Sequence, residues 1–192
     1  EITPYTLNDG TIVSADDSPR PGTTLEGFAG LKPAFRPDGR VTAGNACPLN
    51  DGAAAVVIMS EEKASELSLP PLARIVGVAS TGLNPEIMGV GPIEAVRKVL
   101  AQTKLNMSDI DLVELNEAFA AQVIPCMREL DIDPEKLNVS GGAIALGHPF
   151  GMTGARIMTT LLHNMKERGS KYGLETMCVG GGQGMAMIVE AF

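Results

Sequence analysis

The chain has 192 residues, 44% of them hydrophobic, with a formal net charge of −8 and a mean hydropathy of +0.12. That length holds one substantial core, or one compact domain with part of another. No apolar run approaches the roughly 20 residues of a bilayer span, and the acidic balance excludes the broad basic surface that nucleic acid demands. The sequence predicts a soluble globular protein that holds any anionic ligand locally.

From Glu1 to about Asn50, Gly, Pro, Asp and Thr abound without helical or strand periodicity, which predicts a loop-rich layer. Ala53 to Met59 is a continuous apolar run with Val56, Val57 and Ile58, and is expected to be a strand buried on both faces. Ser60 offers an N-cap to a short helix whose first turn holds Glu61 and Glu62. Pro70 and Pro71 end it, and Leu72 to Ala79 is a second strand. An amphipathic helix with Val96, Val99, Leu100 and Thr103 on one side follows, then Ser108 as a cap and Asp111 to Leu115 as a strand. Ala120, Val123, Ile124 and Met127 mark a helix that Pro125 should kink or shorten. Met158, Leu161, Leu162 and Met165 mark another. Two last strands, Glu175 to Val179 and Met185 to Val189, flank the turn Gly180 to Gly184 as an antiparallel hairpin. Strands and helices in this order give a mixed sheet packed on helices.

Cys47, Cys126 and Cys178 are odd in number, widely spaced and without a CxxC pair, which fits neither a disulfide framework nor a structural zinc site. A reducing compartment, the cytoplasm, is expected, and the N-terminus has no signal-peptide pattern. The chain begins at Glu1, as a piece of a longer polypeptide would.

Reactive side chains concentrate in Asn45 to Gly52, Asn116 to Ala120, Gly147-His148-Pro149 and Cys178 to Gly182, each at the end of a predicted element, where scaffolds present functional groups. His148 lies between Gly147 and Pro149 and suits an acid, a base or an oxyanion donor; the plain alternative is a histidine bonded within a turn. His163 falls off the apolar stripe of its helix and reads as a solvated bystander. Cys178 precedes three glycines, whose N–H groups would lower a thiol pKa or hold an oxyanion; alternatively it is a small apolar residue closing a core strand. Asn116, at a strand-to-helix junction, is by default an N-cap. Neither G-x-G-x-x-G after a strand nor a P-loop occurs, so a dinucleotide site is not expected.

Taken together, Asn-Glu-Ala-Phe-Ala at 116–120, Gly-Gly-Ala-Ile-Ala-Leu-Gly-His-Pro at 141–149 and Cys-Val-Gly-Gly-Gly-Gln-Gly at 178–184 resemble the three C-terminal motifs of the thiolase family. Val41 to Asn45 and Asn50 to Ala53 resemble the stretch before them, so the likeness covers nearly the whole chain. The resemblance implies an α/β fold: a thiolase-like mixed five-stranded sheet on helices, the C-terminal half of a duplicated fold, behind a loop-rich layer. Residues 1–50 would end the CoA-lid loop domain, 51–71 would be the last strand and helix of the N-terminal domain, and 72–192 the C-terminal domain. The implied activity is thiolytic cleavage of 3-oxoacyl-CoA to acetyl-CoA and a shortened acyl-CoA, or the reverse Claisen condensation, in fatty acid β-oxidation or related lipid metabolism.

In that family's terms His148 activates the nucleophilic cysteine and, with a water held by Asn116, forms an oxyanion hole. Cys178 is the acid/base for the CoA thiol or the acetyl-CoA alpha carbon, and the Gly180 N–H serves a second oxyanion hole. Arg20, Phe35, Ala43, Cys47, Met88, Ala118 and Phe119 would contact CoA, which is a substrate and not a tightly bound cofactor. Arg20, Lys32, Arg36 and Arg40 against Glu26 and Asp38 make the lid locally cationic. The family's nucleophile begins a buried helix in the N-terminal half, and none of these three cysteines has that context, so this chain alone is expected to be inactive. Its implied partners are that half, on the same or a separate chain, and further copies in a homodimer or homotetramer, with no membrane or nucleic acid.

Cys47-Pro48 replaces the serine many thiolases carry, and Phe150 is bulkier than the usual Leu or Ile. Both lean toward the degradative type. Two other readings stand beside this one: a non-catalytic CoA- or acyl-CoA-binding module, and a metal site from Cys47, Cys126, Cys178 and His148, whose spacing suits zinc poorly.

Overall fold

A computed structural model describes all of residues 1–192. Its centre is a four-stranded sheet in the order β3-β6-β5-β4, formed by β3 (Ala73–Gly82), β4 (Leu112–Leu115), β5 (Tyr172–Val179) and β6 (Gln183–Ala191). β6 runs antiparallel to both β3 and β5, and β5 is parallel to β4. The hairpin expected at the C-terminus is therefore present, turning through Gly181 and Gly182 at φ 87° and 89°, values that a side chain would strain.

Helix α3 (Gly91–Thr103) packs on one face with α4 (Ala120–Glu129), while α6 (Thr153–Arg168) packs on the other. Strand alternation explains the division. Val113, Leu115, Leu174, Ala186 and Ile188 point toward Val96, Val99 and Cys126, whereas Leu112 and Val189 point toward Met158, Leu161 and Met165. The amphipathic stripe on α3 is as its spacing predicts, with Val96 and Val99 fully buried. The start of α3 touches the start of β6 so closely that a Cβ on Gly91 or Gly184 would collide with the other's backbone neighbourhood.

Before the sheet, residues 1–60 contain only the two-residue strands β1 (Tyr5–Thr6) and β2 (Ile12–Val13) and the short helix α1 (Leu25–Ala29), in keeping with a loop-rich layer. Ser60 caps α2 (Glu61–Glu66) as expected, accepting from the Lys63 N–H at 3.2 Å.

Several expectations are corrected. Ala53 to Met59 forms no strand, and Val57 and Ile58 are 85% and 71% exposed, so the run pairs with no strand of this chain. The sheet accordingly has four strands, not five. The outer edge of β4 is occupied instead by Leu137 and Asn138. Leu137 forms a single parallel bridge to Val113, and the Asn138 amide bonds both the N–H and the carbonyl of Leu115 at 2.9 Å. Asn138 sits at φ 46°, which turns the chain away before a strand can extend.

The cap of the turn at Met107–Asp109 is Asn106, in a reciprocal capping box with Asp109, and not Ser108. On α4 the buried positions are Gln122 and Cys126, followed by Leu130, while Ile124 is 43% exposed, so the stripe is rotated from the expected one. Pro125 neither stops nor shortens α4; the carbonyl it cannot satisfy belongs to Ala121, an exposed residue.

Candidate active site

Asn116 follows the last residue of β4, and its N–H continues the ladder by donating to the Thr176 carbonyl at 3.0 Å. It is thus held by the sheet and is no helix cap; the N-cap of α4 is Phe119. Its side chain is buried, and its Oδ1 has no hydrogen-bond partner. The amide nitrogen lies 3.4 Å from each ring nitrogen of His148.

His148 reaches that position through a tethered loop. The Glu117 carboxylate accepts from Asn138 Nδ2 at 2.8 Å and from the Ile144 N–H at 3.2 Å, fixing the short helix α5 (Ala143–Leu146). Gly142 lies directly against that carboxylate. Gly147, at φ 103°, then presses on the Asn50 amide, whose Oδ1 accepts the His148 N–H at 3.0 Å. The Phe150 ring tilts against the imidazole with centroids 5.0 Å apart. On the far side Nδ1 is 2.6 Å from Thr153 Oγ1, in the first turn of α6. Burial, helped by the Arg156 charge, holds the imidazole pKa below its ordinary value, so His148 is neutral near pH 7.

Cys178 is the penultimate residue of β5, paired with Gly184, and 8% exposed. The glycine turn does not lower its pKa. Burial raises it, a backbone hydrogen bond offsets part of the rise, and the neighbouring Cys47 adds to it. The thiol is therefore protonated at neutral pH. Gly180 is exposed in the turn, and its carbonyl accepts from Gln183 Nε2 at 3.1 Å.

The loop layer joins this region through backbone pairing. Cys47 N–H donates to the Ala118 carbonyl at 3.0 Å, Ala120 N–H donates to Asn45 at 2.9 Å, and Ala46 bridges Phe119. Phe35 packs edge-on against Phe119 with centroids 6.0 Å apart. Phe35, Cys47, Ala118 and Phe119 are thus brought together beside Asn116. Met88 is half-buried in the 3-10 turn Pro85–Val90, which packs on α4. Ala43 and Arg20 are exposed, and no side-chain contact ties Arg20 to the site. His163 is exposed on α6. No group of His, Cys, Asp and Glu converges to hold a metal.

Residues that the motifs do not mark complete the arrangement. Glu114 and Glu175 are register partners on β4 and β5, so both project toward α6, where Arg156 Nη1 lies 3.9 Å from Glu114 Oε2. Burial raises both carboxyl pKa values to about 8. Thr153 and Arg156 carry no motif of their own and stand in the first turn of the helix that follows His148. Glu114 and Glu175 stood out only as charges inside apolar strands.

The family model for the thiolase C-terminal domain matches residues 69–191, the segment that carries the sheet and the motifs at 116–120, 141–149 and 178–184. The chain belongs to the thiolase family. The model for the thiolase N-terminal domain matches residues 1–62. Among curated thiolases, the acetyl-CoA acetyltransferase of Chromobacterium violaceum is 52% identical over 98% of this chain and 48% of its own length. Among solved structures, the Bacillus anthracis acetyl-CoA acetyltransferase superposes with a TM-score of 0.96 at 52% identity, covering 99% of this chain and 49% of that one. Human mitochondrial 3-ketoacyl-CoA thiolase in complex with CoA superposes at 0.92 with 46% identity, covering 98% and 48%. The chain spans about half the length of the curated relatives it matches.

Proposed function

We propose that this chain is the acid/base and oxyanion-binding part of an enzyme that cleaves 3-oxoacyl-CoA with CoA, or runs the reverse condensation. The observation that carries it is the buried Asn116 amide just past the end of β4, 3.4 Å from the His148 ring, with Cys178 near the end of the adjacent strand β5.

Those starting protonation states suit the first half of thiolysis. A nucleophilic cysteine from outside this chain gives its proton to His148 and attacks the 3-oxo carbon; the carbon–carbon bond breaks, and the Cys178 thiol protonates the departing acetyl-CoA carbon. In the second half the Cys178 thiolate takes the proton of an incoming CoA thiol, the CoA thiolate attacks the acyl-enzyme, and the nucleophilic cysteine leaves and recovers its proton from His148 as the shortened acyl-CoA is released. Exchange between two thiols is nearly isoenergetic, so Cys178 serves both directions. Asn116, through a water, and the Gly180 N–H stabilise the two developing oxyanions.

CoA fits the loop layer. Arg20, Lys32, Arg36 and Arg40 are in no ion pair and would meet its phosphates, Arg20 at the adenine end. Phe35, Ala43 and Cys47 would line the pantetheine channel, with Met88, Ala118 and Phe119 nearer the acyl group. Residues 1–50 would then be lid, 51–71 the end of the N-terminal domain and 72–192 the C-terminal domain, and Ala53 to Met59 would find its strand partners in the N-terminal half. A cytoplasmic homodimer or homotetramer acting in lipid metabolism completes the proposal.

The test is acetoacetyl-CoA thiolysis. The 192-residue chain should be inactive, and a polypeptide that adds the preceding half of a thiolase should be active. Cys178→Ala in the longer form should lower kcat roughly 10²- to 10⁴-fold. Full activity in that variant would defeat the assignment.

A further inference from the structure

We infer that Thr153 is a positioning residue that fixes His148 as the Nδ1–H tautomer, leaving Nε2 bare as the base; this rests on the base role proposed above. A neutral imidazole carries one proton, and which nitrogen bears it is set by the partner of the other. His148 is neutral near pH 7, so the choice of tautomer decides whether the nitrogen facing the reaction can accept a proton at all.

Thr153 Oγ1 has a single proton and two neighbours, His148 Nδ1 at 2.6 Å and the Pro149 carbonyl at 3.0 Å. The hydroxyl donates to Pro149, four residues back, as threonines in helices do. Its lone pairs then face Nδ1, which in this arrangement is the donor. A carbonyl only accepts, so with the hydroxyl proton on Pro149 the chain runs Nδ1–H to Oγ1–H to Pro149. The Asn116 amide nitrogen is 3.4 Å from both ring nitrogens and so leaves the choice of tautomer to Thr153.

The placement is built to be rigid. Thr153 is 1% exposed, in the first turn of α6, and its N–H also donates to the Pro149 carbonyl at 3.0 Å, which fixes the backbone that carries the hydroxyl. The His148 backbone is independently clamped by Asn50 at 3.0 Å. Thr153 touches no reacting atom; it acts through the ring.

The test is nitrogen-15 NMR of the imidazoles in the 192-residue chain, which has only two histidines, so His163 is an internal reference. At neutral pH His148 should show Nδ1 in the protonated range and Nε2 in the bare, pyridine-like range. Thr153→Ser should keep that pattern, and Thr153→Val should lose it to the opposite tautomer or an averaged mixture. Should the valine variant fail to fold, Thr153→Ala carries the same expectation. A wild-type spectrum with the proton on Nε2, or an unchanged pattern without the hydroxyl, would overturn the inference. The spectrum reads the ring without any turnover, so a failure here is separate from a failure of the thiolase reading.

Discussion

Replacing Glu175 by glutamine should reveal a buried proton. Burial raises this carboxyl from 4.5 in the unfolded chain to about 8 in the folded one. A raised carboxyl favours folding relative to its ionised state below pH 4.5, and that advantage is lost as pH climbs through the window from 4.5 to 8, because the unfolded chain gives up its proton first. A shift of about 3.5 units, at 1.36 kcal/mol each, amounts to about 5 kcal/mol once pH exceeds 8, and to about 3 kcal/mol at pH 7. Glutamine keeps the shape and removes the titration. It also relieves Glu114, whose own pKa the Glu175 charge helps to raise. Urea unfolding of wild type and Glu175→Gln at pH 5 and pH 8.5 should show the variant gaining several kcal/mol on wild type between the two. An equal difference at both values would refute the buried proton.

Three further outcomes follow from particular contacts. Asn138→Ala removes both bonds to the edge of β4 and the one to Glu117, and should cost about 1–3 kcal/mol in chemical denaturation. Arg156→Met should raise the His148 pKa in an NMR titration, because the guanidinium charge is part of what depresses it; no movement would show desolvation acting alone. Alkylation followed by peptide mapping should label Cys47 first and Cys126 last, since Cys126 is fully buried with its thiol pushed up to about 11.

Much of this was legible in the sequence because local rules and tertiary packing agree. The α3 stripe, the Ser60 cap and the glycine-turned hairpin each depend on neighbours a few residues away. What the sequence obscured depends on partners far along the chain. Ala53 to Met59 has the composition of a buried strand, but no strand of this chain pairs with it. Asn138 looks like a loop residue and yet closes β4 from 23 positions away. Asn116 fits the pattern of a cap, but the β5 ladder claims it. The site motifs identified His148 and Cys178 but not their protonation states, because burial sets those. Thus a thiol expected to be activated by its turn is instead kept protonated by the core.

We propose that this chain supplies the acid, the base and an oxyanion donor, and that the nucleophile lies elsewhere. Trapping the acyl-enzyme of a thiolase-length polypeptide containing this chain, by rapid quench with acetoacetyl-CoA and peptide mass spectrometry, tests it directly. The acyl group should sit on a cysteine outside residues 1–192. An acyl thioester on Cys47, Cys126 or Cys178 would contradict it.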